Sequence, residues 1–502
     1  MSKNKMVWLA VIAVLAPALA TACGAEEKEA PPAGTPGGAA RAMQTAPAEM
    51  TCTHHVAADG DDDNLGTAEA PWQTIQHAAD TAEPGNTVCV HAGTYSAQEE
   101  GSVVTFSRSG TADDPITFAA APGETVIIHG TDGPVSLAKG ASYVSLIGFT
   151  VEDFGIWGVT LSGDNHHILL SRLHIAGGEA SVRFTYGETE GSPEDGPVSD
   201  VVLEDSVLRD CQYEAVDCTP GPCDRITFRR LEIYGAGMAP GAEYGGDGLS
   251  IARGEDILVE DSYIHDNGGD GIDLNSRDRD GNVRGIVVRR NRVVRNHLQG
   301  IKLWAGGRME NNVVWGEGID PVSLGDYPGT YEVVNNTIAY NMYDPNYSER
   351  GYAFRAAYPE EWGAAEIQLT LVNNIFAFNT GPDVGEPTAL YLGPKVQLTE
   401  HHNLYWNRDD SPQGEIEAEF VAEREPAFTR GEIADGTWAS VTGQGEGDVT
   451  AAPLFVSGWS EVEMHLQAGS PAVDAGSTDF APSEDIEGRP RDGVPDIGAY
   501  ER

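Results

Sequence analysis

A short apolar segment with a polar centre recurs along the chain, and this repetition constrains the fold more than any other feature. The segment occurs as EDSVL (204–208), EDSYI (260–264), RRNRV (289–293), ENNVV (310–314), VNNTI (334–338) and VNNIF (372–376). From the second copy onward the spacing is 21 to 38 residues, and short alternating runs without helical periodicity separate the copies. One such unit per coil of a parallel solenoid explains the pattern. The sequence therefore predicts an all-β fold, a right-handed parallel β-helix.

The residue at the centre of each copy is Ser or Asn. These residues are Ser206, Ser262, Asn291, Asn312, Asn336 and Asn374. Asparagine tolerates left-handed backbone geometry and hydrogen-bonds its own turn. Stacked in successive coils, its amide groups can also bond to one another. We interpret these residues as structural.

A second motif follows the first at a fixed distance. It occurs as AVDC (215–218), GIDL (271–274), GIKL (300–303) and PVSL (321–324). Its polar residue lies 11 residues after the centre of the first motif, as in Asp273 after Ser262 and Lys302 after Asn291. A constant offset inside a variable period predicts that the two strands share a fixed turn.

The strands of the second motif present one column of side chains to solvent. In GIDL, Ile272 and Leu274 point inward, so Asp273 points outward. Stacked coils give an outward column of Arg183, Asp217, Ser250, Asp273, Lys302 and Ser323. Three residues earlier a second column holds Glu214, Asp247, Asp270, Gln299 and Asp320. Carboxylates this close repel one another unless they are compensated.

A bound hard cation is the simplest compensation. Calcium takes about six to eight oxygen ligands, and Asp247, Asp270 and Asp273 supply three carboxylates. Lys302 lies one coil beyond Asp273 on the same face. Two interpretations of this lysine stay open: a stacked salt bridge, or a base that gives up its proton more easily beside a cation.

These groups suit β-elimination on a polymer of uronic acids. The C5 proton lies next to a carboxylate, so a cation that neutralises the carboxylate favours removal of the proton by a base. The bond to the C4 oxygen then breaks. The predicted partner is an acidic polysaccharide. Candidate substrate-binding residues are basic or aromatic: Arg183, Arg277, Arg284, Tyr244 and Trp304.

Three segments, YGGDGLSI, NGGDGIDLN and QGIKLW, together resemble the site of polysaccharide lyase family 9. The resemblance implies that Asp247, Asp270 and Asp273 are calcium ligands and that Lys302 is the Brønsted base. The family has a further aspartate directly before the one that matches Asp270. This chain has Gly269 there, and its loop leading to Lys302 is shorter.

Two other functions fit the same solenoid face. One is a non-catalytic surface protein that binds glycan, because fold alone does not establish activity. The other is a glycoside hydrolase that uses paired carboxylates. A hydrolase needs neither a lysine nor calcium, so Lys302→Ala and a chelator distinguish it from a lyase.

The two ends of the predicted β-helix have their own signals. Ile75, Ala78 and Ala79 lie at helical spacing and predict a short helix that caps the amino-terminal coil. SPAVDAGSTDF and DGVPDIGAYER resemble the closing segment of the choice-of-anchor Q type. We expect the β-helix over 51–447 and the closing segment over 448–502.

The first residues predict export. After a basic start, an apolar run is broken by Pro17 and is too short for a comfortable membrane span. ALATAC resembles a bacterial lipobox, in which Cys23 is lipidated; a plain secretory signal is the alternative. We expect a signal peptide over 1–22 and a flexible tether over 23–50. The expected location is the bacterial cell envelope, as an outer membrane lipoprotein held only by its lipid, or secretion.

Charge and cysteine content limit the partners. The chain has 502 residues, a hydrophobic content of 40% and a formal net charge of −47, which is sufficient for a large core and unfavourable for nucleic acid. We expect a monomer. In an oxidising compartment Cys52 and Cys89 could form a disulfide, and two of Cys211, Cys218 and Cys223 could form another.

Overall fold

Three long sheets run along the molecule, and each coil of the chain contributes one strand to each of them. The computed structural model describes residues 50–97, 101–185, 196–219, 221–238, 245–274, 283–304, 306–325, 327–341, 352–357, 365–378, 388–406, 416–421, 427–456 and 464–502. The described residues form three long sheets of 13, 12 and 13 strands, which we call sheet 1, sheet 2 and the site sheet and whose strands are given below. Their strands are parallel apart from the last strand of the site sheet. The predicted right-handed parallel β-helix is confirmed.

Along each coil the chain passes first through sheet 1, then through sheet 2 and then through the site sheet. Sheet 1 contains His54–Val56, Thr87–Val90, Ile116–Ala120, Ser142–Ile147, His166–Ser171, Val198–Glu204, Cys223–Arg229, Leu258–Glu260, Val287–Arg289, Gly307–Glu310, Gly329–Val334, Ile367–Val372 and Val396–His401. Sheet 2 contains Gly93–Ser96, Val126–His129, Phe149–Glu152, His174–Ala176, Val207–Arg209, Glu232–Tyr234, Tyr263–His265, Arg292–Val294, Val313–Trp315, Thr337–Ala339, Ile375–Ala377 and Leu404–Trp406. The site sheet contains Val104–Phe106, Val135–Leu137, Trp157–Leu161, Ala180–Phe184, Val216–Cys218, Leu249–Ile251, Ile272–Leu274, Ile301–Leu303, Val322–Leu324, Tyr352–Ala356, Thr388–Leu392, Ile416–Ala418 and Ala427–Phe428. A small two-stranded sheet pairs Gly254–Glu255 with Val283–Arg284.

The asparagines of the first repeat form a buried ladder at the turn between sheets 1 and 2. Each side-chain amide donates to the Oδ1 atom of the next coil over 3.0–3.1 Å, through Asn291, Asn312, Asn336, Asn374 and Asn403. Each Oδ1 also accepts the backbone N–H of the preceding coil. The interpretation of these residues as structural is confirmed, because buried turns need internal partners for their backbone groups.

A short helix, Ile75–Thr81, covers the amino-terminal end of the site sheet, as the sequence predicted. Its buried residues are Ile75, Ala78 and Ala79. Gln76 accepts the backbone N–H of Thr105 over 2.8 Å and donates to its carbonyl over 3.3 Å. Because Thr105 lies on the first strand of the site sheet, these bonds satisfy an otherwise open sheet edge.

The carboxyl-terminal residues occupy two different places. Two short helices, Arg430–Ala434 and Thr437–Thr442, follow the last coil, and Trp438 packs edge-on against Phe428. Residues 464–502 instead lie against the outside of sheet 2. Three turn asparagines of the solenoid, Asn311, Asn335 and Asn373, donate to carbonyl groups of this segment.

Two disulfides stabilise the solenoid. Cys52 pairs with Cys89, and Cys218 pairs with Cys223, which leaves Cys211 as a buried thiol. The pairing agrees with the possibilities that the sequence left open. Within the described parts of the chain, no helix is long and apolar enough to cross a membrane. Cys23 and the predicted signal peptide lie outside the described residues, so lipidation stays a prediction.

Candidate functional site

The outward column of the site sheet has the register that the 11-residue offset predicted. The successive pairs are Thr160–Arg183, Arg183–Asp217, Asp217–Ser250, Ser250–Asp273, Asp273–Lys302, Lys302–Ser323 and Ser323–Arg355. Ile272 and Leu274 are fully buried, so Asp273 lies on the outer face as expected. One face of the solenoid therefore carries a continuous row of polar and charged groups.

Three carboxylates converge near the middle of this row. One oxygen atom each from Asp247, Asp270 and Asp273 lies within 4.8 Å of the other two. Asp270 is 1% exposed and Asp273 is 7% exposed. Burial raises the pKa of Asp247 well above its ordinary value, and the charges on Asp270 and Asp273 raise it further. The cluster is costly to ionise without a cation.

Backbone hydrogen bonds hold two of these carboxylates in place. Asp247 Oδ1 accepts the N–H of Asp270 over 2.7 Å. Asp270 Oδ1 accepts the N–H of Gln299 over 2.8 Å. Each aspartate therefore spans to the next coil, which fixes its orientation and leaves its second oxygen available to the cluster.

Lys302 is the cation in contact with the cluster. Its Nζ atom lies against Asp270 Oδ2 and 3.7 Å from Asp273 Oδ2. Burial alone would lower the pKa of Lys302, but the three neighbouring carboxylates raise it above its ordinary value. The amine is therefore an ammonium while the carboxylates are uncompensated.

Arginines neutralise the aspartates at both ends of the row. Arg183 pairs with Asp217. Arg355 Nε lies 2.9 Å from Asp320 Oδ2. The central cluster differs, because three carboxylates converge there and Lys302 lies against one of them.

The donor chemistry of the cluster fits calcium. Carboxylate oxygens are the ligands that this hard cation prefers, and the cluster offers one from each of three aspartates. Gly269 occupies the place of the additional family aspartate. A Cβ atom there would lie 2.4 Å from Asp247 Oδ1 and 2.9 Å from the carbonyl oxygen of Gly245. In this arrangement the position admits glycine, so the cluster has three carboxylates.

The predicted substrate-binding residues have different surroundings. The guanidinium of Arg183 lies 5.4 Å from the ring centre of Trp157. Trp304 lies beside the amine of Lys302, 5.4 Å from its ring centre. Arg284 pairs with Glu255 over 2.8 Å and is largely exposed, and no contact joins it to the acid cluster among the described residues. Tyr244 and Arg277 lie outside the described residues.

Sequence reasoning missed two residues on this face. Arg355 lies 19 residues after Asn336, the same offset that separates Leu231 from Ser250, and this recurrence was an available signal. Glu317 is fully buried behind the row. It occupies the position that asparagine has in the neighbouring coils. The sequence indicated this position only weakly, because the residue type is different.

Comparisons with known proteins agree with this architecture. A family model described as Pel9A-like, right-handed beta helix region matches residues 54–190, and a model described as right-handed beta helix region matches residues 138–338. The crystal structure of pectate lyase Pel9A superimposes with a TM-score of 0.51 at 16% identity and covers 89% of this chain and 96% of its own. The fold is a right-handed parallel β-helix.

Two curated proteins are similar in sequence. The uncharacterized protein YwoF of Bacillus subtilis is 24% identical over 350 residues, which are 57% of this chain and 74% of YwoF. Pectate lyase PEL9 of Emericella nidulans is 41% identical over 88 residues, which are 18% of this chain and 21% of PEL9. The higher identity is thus confined to a short segment.

Proposed function

We propose that the protein is a calcium-dependent polysaccharide lyase that acts on a polymer containing uronic acids. The observation that carries the proposal is the convergence of Asp247, Asp270 and Asp273 around one amine, that of Lys302, on the outer face of the solenoid. The similarity of one segment to a pectate lyase supports it. Asp247, Asp270 and Asp273 would hold the calcium ion.

Lys302 is the base in this proposal. A bound calcium ion would supply positive charge beside the amine and the carboxylate of the substrate, which would favour the neutral form of the amine. The neutral amine of Lys302 then takes the C5 proton of the sugar. The electron pair of the C5–H bond forms a C4–C5 double bond, and the C4–O bond breaks with its electrons on the departing oxygen, which is protonated by solvent. Trp304 offers a ring beside the amine on which a sugar can stack.

The test is the ultraviolet absorbance of the new double bond during incubation with polygalacturonate, alginate and a glycosaminoglycan. We expect absorbance to rise with one of these polymers, and a chelator or Lys302→Ala to abolish the rise. Lys139→Ala is the control, because Lys139 is an exposed lysine 3.7 Å from Asp164 and remote from the acid cluster in sequence. New reducing ends without a double bond, insensitive to chelator, would instead establish a hydrolase. Binding of polymer without turnover would establish a glycan-binding protein.

A further inference from the structure

A second buried ladder runs at the turn between sheet 2 and the site sheet, directly behind the candidate site. Its members are Asn267, Asn296, Glu317 and Asn341. Asn267 donates its amide to Asn296 Oδ1 over 2.8 Å. The N–H of Glu317 donates to Asn341 Oδ1 over 3.0 Å. This ladder fixes the turns that lead into the site strands, as the first ladder fixes the turns into sheet 2.

Glu317 differs chemically from the other members of this ladder. Its Oε2 atom accepts the backbone N–H of Asn296 over 2.8 Å, and its Oε1 atom lies 3.4 Å from the Asn296 amide. Both carboxyl oxygens therefore act on one residue of the preceding coil. Among the described residues, no lysine or arginine forms an ion pair with Glu317, although it is fully buried.

The ladder side chains also touch the glycines that precede the site residues. A Cβ atom at Gly271 would lie 2.8 Å from the Asn296 amide nitrogen, and one at Gly300 would lie 3.0 Å from Glu317 Cγ. Gly300 stands two residues before Lys302. Glu317 thus bonds to one end of the turn 296–300 through the N–H of Asn296, and its side chain occupies the space where Gly300 at the other end has no Cβ atom.

The charge of the acid cluster reaches this carboxyl group. Burial raises the pKa of Glu317 well above its ordinary value, and the charge on Asp270 raises it further. The electrostatic interaction agrees with a position for Glu317 close behind the cluster.

We propose that Glu317 is a positioning residue that holds the turn 296–300 from the next coil, so that the amine of Lys302 lies against Asp270. The inference rests on the proposed function only for its kinetic consequence. The mechanical part, that the turn carrying Lys302 depends on Glu317, follows from contacts in this chain.

Asn312 offers a matched control, because it is in the same coil as Glu317. Both residues are fully buried, and each accepts one backbone N–H from the preceding coil, over 3.0 Å for Asn312 and 2.8 Å for Glu317. Asn312 contacts the turn into sheet 2, whereas Glu317 contacts the turn into the site sheet. Both Glu317→Ala and Asn312→Ala should therefore lower the unfolding temperature, and Asn312→Ala should lower it more, because its amide also donates to Val288, Glu310 and Asn336.

The kinetic comparison separates positioning from general stability. We expect Glu317→Ala to lower kcat about a hundredfold with KM little changed, since displacement of a reacting group by about 1 Å has an effect of that order. Asn312→Ala should keep the wild-type kcat. Glu317→Gln keeps the length of the side chain and one acceptor, so it should restore most of kcat. Equal loss of kcat in the two alanine variants would overturn the proposal.

Amide hydrogen exchange tests the same point without turnover. We expect the peptide over 296–303 to exchange faster in Glu317→Ala than in Asn312→Ala or the wild type. If the wild-type protein cleaves no polymer while this difference is present, the proposed function fails and the positioning role stands. Equal exchange in all three proteins would overturn the positioning role.

Discussion

At the scale of single residues, the neighbours of an aspartate decide what it can bind. Asp270 and Asp320 occupy equivalent places in their coils, and each accepts a backbone N–H from the next coil. Both are buried. Arg355 compensates Asp320, whereas Asp270 faces two more carboxylates and shares one amine with them. Equivalent geometry thus gives one residue a structural ion pair and the other a place in a candidate calcium site.

This contrast predicts different effects of the same substitution. Asp270→Asn removes one of three carboxylates, so calcium affinity measured by titration calorimetry should fall by more than the roughly 10- to 100-fold that loss of an outer-shell partner costs. Asp320→Asn should leave calcium affinity close to the wild-type value, although it leaves Arg355 buried without its carboxylate and lowers stability. Similar affinities in the two variants would show that calcium is not held by this cluster.

The sequence predicted the acid cluster and the lysine because Asp273 and Lys302 keep a constant distance from the centre of the first motif. It missed residues where this distance or the residue type changes. Asp273 and Lys302 lie 11 residues after their ladder residues, so counting alone placed them on one face. Arg355 follows a longer coil, and its pairing with Asp320 depends on loop length. Gly269 could be recognised as a departure, but the reason for it, the approach of Asp247 Oδ1, needed coordinates.

At the scale of elements, ion pairs between coils explain many of the charged residues in the repeat. The residue that follows each sheet 1 strand has a positive φ of 51° to 54° at Asp205, Arg230, Asp261 and Arg290. Arg230 pairs with Asp205, and Arg290 pairs with Asp261. Acid and base alternate between coils, so residues that lie one above another attract. Each exposed pair contributes little alone, and the alternation mainly avoids like charges in a stack.

The asparagine ladder ends in a pair of acids beneath the carboxyl-terminal helices. Glu400 accepts hydrogen bonds from the Asn403 amide over 2.7 Å, from Tyr405 Oη over 2.9 Å and from Trp438 Nε1 over 3.0 Å. Asp448 Oδ1 accepts the N–H of Asn403 over 2.9 Å. Burial and the neighbouring Glu400 raise the pKa of Asp448 well above its ordinary value. The folded cap therefore favours the protonated form of Asp448 more than the unfolded chain does.

The raised pKa of Asp448 predicts a free energy of unfolding that falls as pH rises. Because the pKa of Asp448 is higher in the folded protein, its contribution is present below the ordinary aspartate pKa of 3.8 and is lost as pH rises through the folded value. Asp448→Asn should flatten the dependence of the free energy of unfolding on pH, measured in chemical denaturation. The pKa of Asp247 is also raised in the folded protein. Adding calcium should suppress only the part of the pH dependence that comes from Asp247. An unchanged slope in Asp448→Asn would show that Asp448 does not contribute to the pH dependence.

At the scale of the whole molecule, the carboxyl-terminal segment 464–502 covers the outer face of sheet 2. Outer side chains of sheet 2 form a second buried cluster with this segment and with Phe455. Its other members are Val294, Val313, Trp315, Ala339, Ile375, Ala377 and Leu404 on the solenoid and Met464, Leu466, Ala472, Ile486, Ile497, Ala499 and Tyr500 on the segment. A sequence signal existed: the strands VVW, IFA and LYW are apolar at both faces, whereas HIA, VLR and EIY carry polar or charged outer residues. The alternation rule fails where a second layer covers the sheet.

Two residues of this segment test how far it stabilises the fold. Ile497 is fully buried against sheet 2, whereas Val494 is 46% exposed three residues earlier. Ile497→Ala should lower the free energy of unfolding by about 2–5 kcal/mol, the cost of removing a buried aliphatic side chain. Val494→Ala should change it by less than about 0.5 kcal/mol.

If the segment and the solenoid unfold together, denaturation followed by tryptophan fluorescence and by circular dichroism should shift as one transition in Ile497→Ala. Separate transitions would show that the segment detaches first. The proposed calcium binding should then persist in the solenoid, because Asp247, Asp270 and Asp273 belong to the site sheet and the segment covers sheet 2.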